Sequence, residues 1–394
     1  MKRYISSIVI VAVLLLTLST FYIYSAVSAS PFPHFKIEKE SGDAKEIRTL
    51  QITGGYGLGN GHENFNLSWN GTVYSSEVSF LDRFNNGTKR MKELRKQYKN
   101  FMRGKMEENS FYQDKVWLIY ADTSSNWSGS TKNPYLEISL LKKKDKKNTK
   151  IHIPLSKQNH YVTVDDVQLV GKQLKIATQN TVASKENDFN EIHVYTVDIT
   201  NQKLVKDETI QPGVSNQRLQ KNTYINIQNL QDTNISDPSK YVLYNISLMK
   251  TTSRGRDQIL NRELIAYNTE TSKKELIKLP KTINIEELVS FHGDVIYFVT
   301  MNPNELKLTA YNFINQRVEN EFSINRQNAD TSIYAIKNEK LYLCIPYLQG
   351  KTAGVLNVYD VKTSKKLFQG NIVNVEKYKK WNRLSLDFYD MEID

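Results

Sequence analysis

Carboxylates, histidines, a thiol and clustered lysines are the side chains of this 394-residue chain that could do chemistry. Two acidic pairs stand out, Asp165-Asp166 and Glu286-Glu287, each placed by the alternating pattern just ahead of an inner strand. Paired carboxylates on two such strands could hold Ca²⁺, which takes several oxygen ligands. They could also act as an acid/base pair, or be solvated strand-entry charges. These four residues are the candidate metal ligands.

The six histidines (His34, His62, His152, His160, His193 and His292) are scattered. None forms an HExxH or nucleophile-elbow arrangement, and no catalytic residue is expected. The single cysteine, Cys344, sits in the apolar run Leu341–Ile345. It excludes an intramolecular disulfide and, with no Cys/His cluster, a structural zinc site. Gly54-Gly55-Tyr56-Gly57-Leu58-Gly59-Asn60-Gly61 is the most glycine-dense stretch. It lacks the spacing of a phosphate-cradling loop and reads as a hairpin. No cofactor is implied.

The basic residues are more concentrated. Within Thr88–Met106, Met91, Leu94, Tyr98, Phe101 and Met102 recur at helical steps. Lys89, Arg90, Lys92, Arg95, Lys96, Lys99 and Arg103 supply the opposite face. Such a helix can lie on an anionic surface or pack its apolar face onto the domain, and packing is the reading preferred. A second basic run, Lys142-Lys143-Lys144-Asp145-Lys146-Lys147, falls between two strands as a hairpin tip. The net charge of +11 fits an anionic partner or a solvated basic surface.

The elements that carry these groups form a repeat. Tyr359-Asp360-Val361-Lys362-Thr363-Ser364-Lys365 matches the stretches from Tyr311 to Arg317, from Tyr267 to Lys273 and from Val197 to Lys203. Each has Asp or Asn opening a turn, where its side chain accepts a backbone hydrogen bond. The copies are 70, 44 and 48 residues apart. The last two are embedded in the same order of four short strands. Lys142–Lys150 and Asp82–Lys89 occupy the places of two degenerate copies. Repeats of about 40–50 residues with four strands each indicate β-propeller blades. The hairpin Val358–Phe368 resembles the outer hairpin, of the form YDxxTGKxL, of quinoprotein-like and YVTN-type β-propellers. The resemblance spans roughly Val162–Val373 and implies that fold alone. Ser364, Ser272, Gln316 and Gln202 stand where the family has glycine. The family's blade-docking tryptophans are absent, so no functional residue carries over.

The expected fold is therefore an all-β propeller of six to eight four-stranded blades, seven by preference, with Trp381–Ile393 or Glu46–Ile52 supplying a closing strand. Lys2, Arg3 and the apolar run from Ile5 to about Tyr24 predict an N-terminal transmembrane or signal helix, with a cleavage site after Ala29. The domains are then residues 1–29, a linker over 30–45, and an extracytoplasmic propeller over 46–394. The expected localisation is the cell membrane, single-pass with the domain outside the cytoplasm, or secretion. The expected role is a membrane-tethered, non-catalytic interaction or sensing module. Its partners would be the membrane through that helix and another membrane protein or an anionic envelope polymer, not nucleic acid. A propeller-fold enzyme acting on an envelope glycan is the alternative.

Overall fold

The computed structural model describes residues 5–27, 32–58, 61–79, 87–124, 133–183, 188–213, 222–230, 239–252, 255–326, 331–349, 351–375 and 386–393. Among them the chain forms six antiparallel sheets that succeed one another along the sequence. The second runs through Phe111–Gln113, Trp117–Thr123, Tyr135–Lys142 and Lys147–Pro154. The third comprises Asn159–Val170, Gln173–Val182, Phe189–Asp198 and Lys203–Gln211, and the fourth Thr223–Asn229, Tyr241–Thr251, Asp257–Asn268 and Lys273–Ile277. The fifth holds Leu288–His292, Val295–Met301, Glu305–Asn312 and Arg317–Asn325. Each is a meander in chain order, as short strands joined by tight turns favour.

The two chain ends interlock the first and sixth sheets. Leu386–Ile393 pairs with Leu50–Leu58, which continues to Gly61–Ser68 and Gly71–Tyr74 as the first sheet. Phe35–Gly42 pairs with Lys366–Asn374 and adds a fifth strand to the sixth sheet, whose others are Ile333–Lys337, Lys340–Gln349 and Thr352–Asp360. Closure of this kind pairs edges that would otherwise invite association. It also requires glycine. A Cβ on Gly54 would lie 2.5 Å from the Phe65 ring and 2.6 Å from the Asp387 carbonyl of the closing strand.

Apolar cores join neighbouring sheets in sequence. Ile119, Ile138, Val167 and Ile176 bring the second and third together, and Ala177, Val194, Tyr244 and Ile265 the third and fourth. Leu243, Ala266, Phe298 and Tyr311 join the fourth and fifth. Tyr297, Leu308, Leu341 and Leu343 join the fifth and sixth, while Ile52, Leu67, Leu356 and Phe368 join the sixth and first. The arrangement is propeller-like.

The repeated turn has the chemistry its sequence implies. Asp360 Oδ1 accepts from the Thr363 amide at 2.7 Å, Asn312 Oδ1 from Asn315 at 2.9 Å, Asn268 Oδ1 from Thr271 at 3.0 Å and Asp198 Oδ1 from Asn201 at 2.9 Å. Ser364, Gln316, Ser272 and Gln202 all adopt positive φ, between 51° and 59°. These are the four positions where the resembling family carries glycine, and the left-handed backbone explains that preference. Lys146 is in the same conformation at φ 51°, so the lysine-rich tip is a fifth copy of the turn.

Several expectations are corrected. The sheets number six among the described residues, not seven, because both terminal strands complete existing sheets instead of seeding a new one. The stretch 30–45, expected as a linker, carries the strand Phe35–Gly42. The strand expected over Glu46–Ile52 begins only at Leu50, since Ala44–Ile47 is a 3-10 turn capped by Asp43. Ile5–Val27 is helical, yet among the described residues no helix is long and apolar enough to cross a membrane. Within Ile5–Val27 the Thr20 hydroxyl bonds back to the Leu16 carbonyl at 2.8 Å. The transmembrane or signal helix, attachment to a membrane through it, the single-pass localisation and the membrane-tethered role are therefore not supported. The cleavage site after Ala29 and most of Asp82–Lys89 lie outside the described residues.

Candidate functional site

The second sheet carries the chain's densest positive charge. The basic helix spans Lys89–Gln97. Thr88 caps it, its hydroxyl accepting from the Met91 amide at 3.3 Å and also bonding Glu108. Arg95 and Lys96 occupy its last turn, where cations complement the helix dipole. Its apolar side is fully used. Met91 and Leu94, with Phe101 and Met102 of the turn that follows the helix, are buried against Phe111, Leu118, Tyr120 and Leu141 of the second sheet. Lys89, Lys92 and Lys96 of the helix, and Lys99 and Arg103 beyond its end, are exposed, while Arg90 and Arg95 are half-buried.

The lysine hairpin of the same sheet lies beside it. Lys143 Nζ donates to the Asp114 carbonyl at 2.5 Å. Its ammonium is pulled below the usual lysine range by burial and then by the nearby Arg90 guanidinium. Lys105 stands 4.8 Å over the Phe101 ring and 5.4 Å over Tyr120. Burial and the charge of Lys150 lower it too. Lys144, Lys146, Lys147 and Lys115 are exposed around this contact. Opposite charges offset part of the field, through Glu137 on Lys150 at 2.6 Å, Asp145 on Lys142 at 3.6 Å and Glu93 on Arg90 at 3.7 Å. The two basic segments, some fifty residues apart in sequence, thus meet where Lys143 lies near Arg90.

The acidic candidates behave differently. Asp165 and Asp166 lie within the innermost strand of the third sheet and are buried. Asp165 accepts from Tyr244 Oη at 3.0 Å and Gln179 Nε2 at 3.3 Å, and its carbonyl accepts from Asn229 Nδ2 at 2.9 Å. Tyr244 and Asn229 belong to the fourth sheet, so Asp165 bridges two sheets. Asp166 accepts from Gln168 Nε2 at 2.9 Å. Burial pushes the Asp165 carboxyl up to about 6 and that of Asp166 up to about 7, against the hydrogen bonds that favour their charged forms. Glu286 and Glu287 instead sit in the 3-10 turn Ile285–Glu287 ahead of the fifth sheet. Glu286 pairs with Arg262 at 3.7 Å and Glu287 accepts from Thr300 Oγ1 at 2.5 Å. The two pairs thus occupy different places in their sheets. Among the described residues no three His, Cys, Asp or Glu side chains are grouped to hold a metal ion.

One cluster has only a faint sequence signal. His193 Nδ1 contacts Asp207 at 2.7 Å and Nε2 contacts Glu191 at 3.0 Å. Glu191 and His193 share a strand face at i and i+2, which is readable; Asp207 comes from the neighbouring strand, which is not. Burial lowers this imidazole, but the two carboxylates outweigh it and the net shift is upward. Cys344 is buried, as expected, and burial pushes its thiol up.

The succession of six antiparallel sheets resembles a β-propeller at the level of fold. No protein-family model matches it, and no curated protein sequence does. Among solved structures, the β-propeller domain of the Trilobed protease from Pyrococcus furiosus aligns over 88% of this chain and 86% of its own, at 10% identity and TM-score 0.31. Cobalt-substituted Synechocystis apocarotenoid oxygenase aligns over 94% and 98%, at 8% identity and TM-score 0.40. An uncharacterized protein from Listeria monocytogenes EGD-e aligns over 67% and 83%, at 8% identity and TM-score 0.30. No activity is transferred from similarities of this size.

Proposed function

We propose that this protein is a binding module whose second sheet takes a linear polyanion. The observation that carries the reading is the packing of the basic helix: Met91 and Leu94 are buried against Leu118, Tyr120 and Leu141, so Lys89, Lys92 and Lys96, followed by Lys99 and Arg103, are exposed beside the lysine hairpin. Lysine-rich faces with few buried partners attract a charged polymer through many weak, screened contacts instead of one deep pocket. Exposed ammonium groups on flexible stems suit a polymer of phosphate or carboxylate groups without demanding a fixed geometry.

The test is titration with inorganic polyphosphate at low and raised salt, on the parent protein and on the variant carrying Lys92→Glu, Lys96→Glu, Lys99→Glu and Arg103→Glu. Binding should weaken steeply with salt and be lost in the variant while the melting temperature holds, because all four side chains are exposed. Binding that ignores salt, or that survives the four reversals, overturns the proposal.

A further inference from the structure

In the fourth sheet the outermost strand is shorter than its neighbour. Lys273–Ile277 covers Asp257–Asn268 only from Leu264 to Asn268, and among the described residues no strand pairs with the seven residues Asp257–Glu263 on that side. The reason is visible in the next connection. The Lys278 carbonyl accepts a hydrogen bond from Tyr311 Oη of the fifth sheet at 3.0 Å, and Pro280 follows, which has no amide to donate. The chain is drawn away towards the fifth sheet instead of continuing along the edge. Where it departs, a cleft of about 620 Å³ opens, lined by Arg262, Glu263, Leu264, Leu276, Leu279 and Pro280 among others, with Arg262 paired to Glu286 at 3.7 Å. Ile259, Leu260 and Leu276 beside it are exposed. Lys281 lines the cleft and, like Lys278 next to it, is exposed.

We infer that this edge and cleft form a docking site for an extended peptide of alternating apolar and acidic residues. The peptide adds as a strand to Asp257–Glu263, antiparallel to it and in line with Lys273–Ile277. An apolar side chain fills the cleft, and acidic residues meet Lys278 and Lys281. Strand addition of this kind takes affinity from main-chain hydrogen bonds and selectivity from pockets for alternate side chains. The molecule already does this once within itself, where Phe35–Gly42 adds to the outer edge of the sixth sheet. The site lies on a different sheet from the basic face and does not depend on it.

The experiment is calorimetric titration of the full chain with the capped peptide Glu-Val-Glu-Val-Glu-Leu-Glu-Val. The same peptide N-methylated at alternate residues is the control, and the parent is compared with Leu276→Glu. Leu276 is 54% exposed, so this variant should melt as the parent does and still bind polyphosphate. The inference expects the peptide to bind, and N-methylation or Leu276→Glu to weaken it roughly tenfold or more. No binding at millimolar peptide overturns it, as does equal binding of the N-methylated peptide. A concentration-dependent dimer of the parent that Leu260→Lys abolishes would also overturn it, by showing a second copy as the occupant.

Discussion

Asp166→Asn probes the most unusual electrostatic feature of the fold. The Asp166 carboxyl accepts from Gln168 Nε2 and the Val167 amide, and burial raises it from 3.8 to about 7. A group whose folded value is raised is held protonated by the fold. Its stabilising effect is complete below the unfolded value near 3.8 and is lost as pH rises through about 7. Over that window the unfolded chain releases a proton that the folded chain keeps, which costs roughly 4 kcal/mol by the top of the range. Because Asp166 is 7% exposed, solvent screening removes little of this. Asparagine retains an acceptor oxygen for Gln168 and Val167 and cannot ionise. Urea unfolding followed by tryptophan fluorescence, at intervals between about pH 4.5 and pH 8, gives the two profiles. The parent should lose stability relative to the variant by roughly 2–4 kcal/mol across the range, with the gap widening from its acid end and levelling off above about pH 7. Parallel profiles would mean that Asp166 is already ionised in the folded protein, and the burial argument would fail.

His193→Gln removes an imidazole whose folded value is raised by Asp207 and Glu191. The stabilisation lost should be fully apparent below about pH 6.5 and vanish as pH rises through the folded value, a trend that melting curves at several pH values would show. Leu94→Ala empties a buried position between the basic helix and the second sheet. It should cost about 2–5 kcal/mol in urea unfolding, and a smaller loss would mean the helix packs loosely. Gln316→Gly relieves a left-handed residue at φ 51°. A gain of about 0.5–1 kcal/mol is expected, the turn strain outweighing the added freedom of the unfolded chain, and destabilisation would show that the Gln316 side chain makes an uncounted contribution.

The repeated turn was legible from residue types alone. Asp360, Asn312, Asn268 and Asp198 open it wherever they occur, because an Asx side chain reaches its own backbone two or three residues on. The helix was legible only at its start: Met91 and Leu94 fall on one face as expected, but it ends at Gln97, well short of the Met106 to which the apolar spacing pointed. Closure was only half legible. The alternation of Leu386 and Phe388 marked a strand, but the spacer-like stretch around Phe35–Gly42 gave no sign of its partner more than 320 residues away. The sheet count was misjudged for that reason. The acidic pairs were found by composition, yet their environments were not: Tyr244 lies 79 residues from Asp165.

Local chemistry, then, settled what a short window can hold: an all-β repeat, its turns, one amphipathic helix and a concentration of lysine. Those properties depend on backbone preferences and periodicities that act within a few residues. Tertiary structure alone decided that the helix and the lysine hairpin meet, and that Asp165 and Asp166 are buried while Glu286 is not. It also decided that the Lys278 carbonyl turns to Tyr311 and leaves an edge bare. Each of these is set by which distant segment excludes water from a group or supplies its hydrogen-bond partner, and adjacency in sequence carries no record of that.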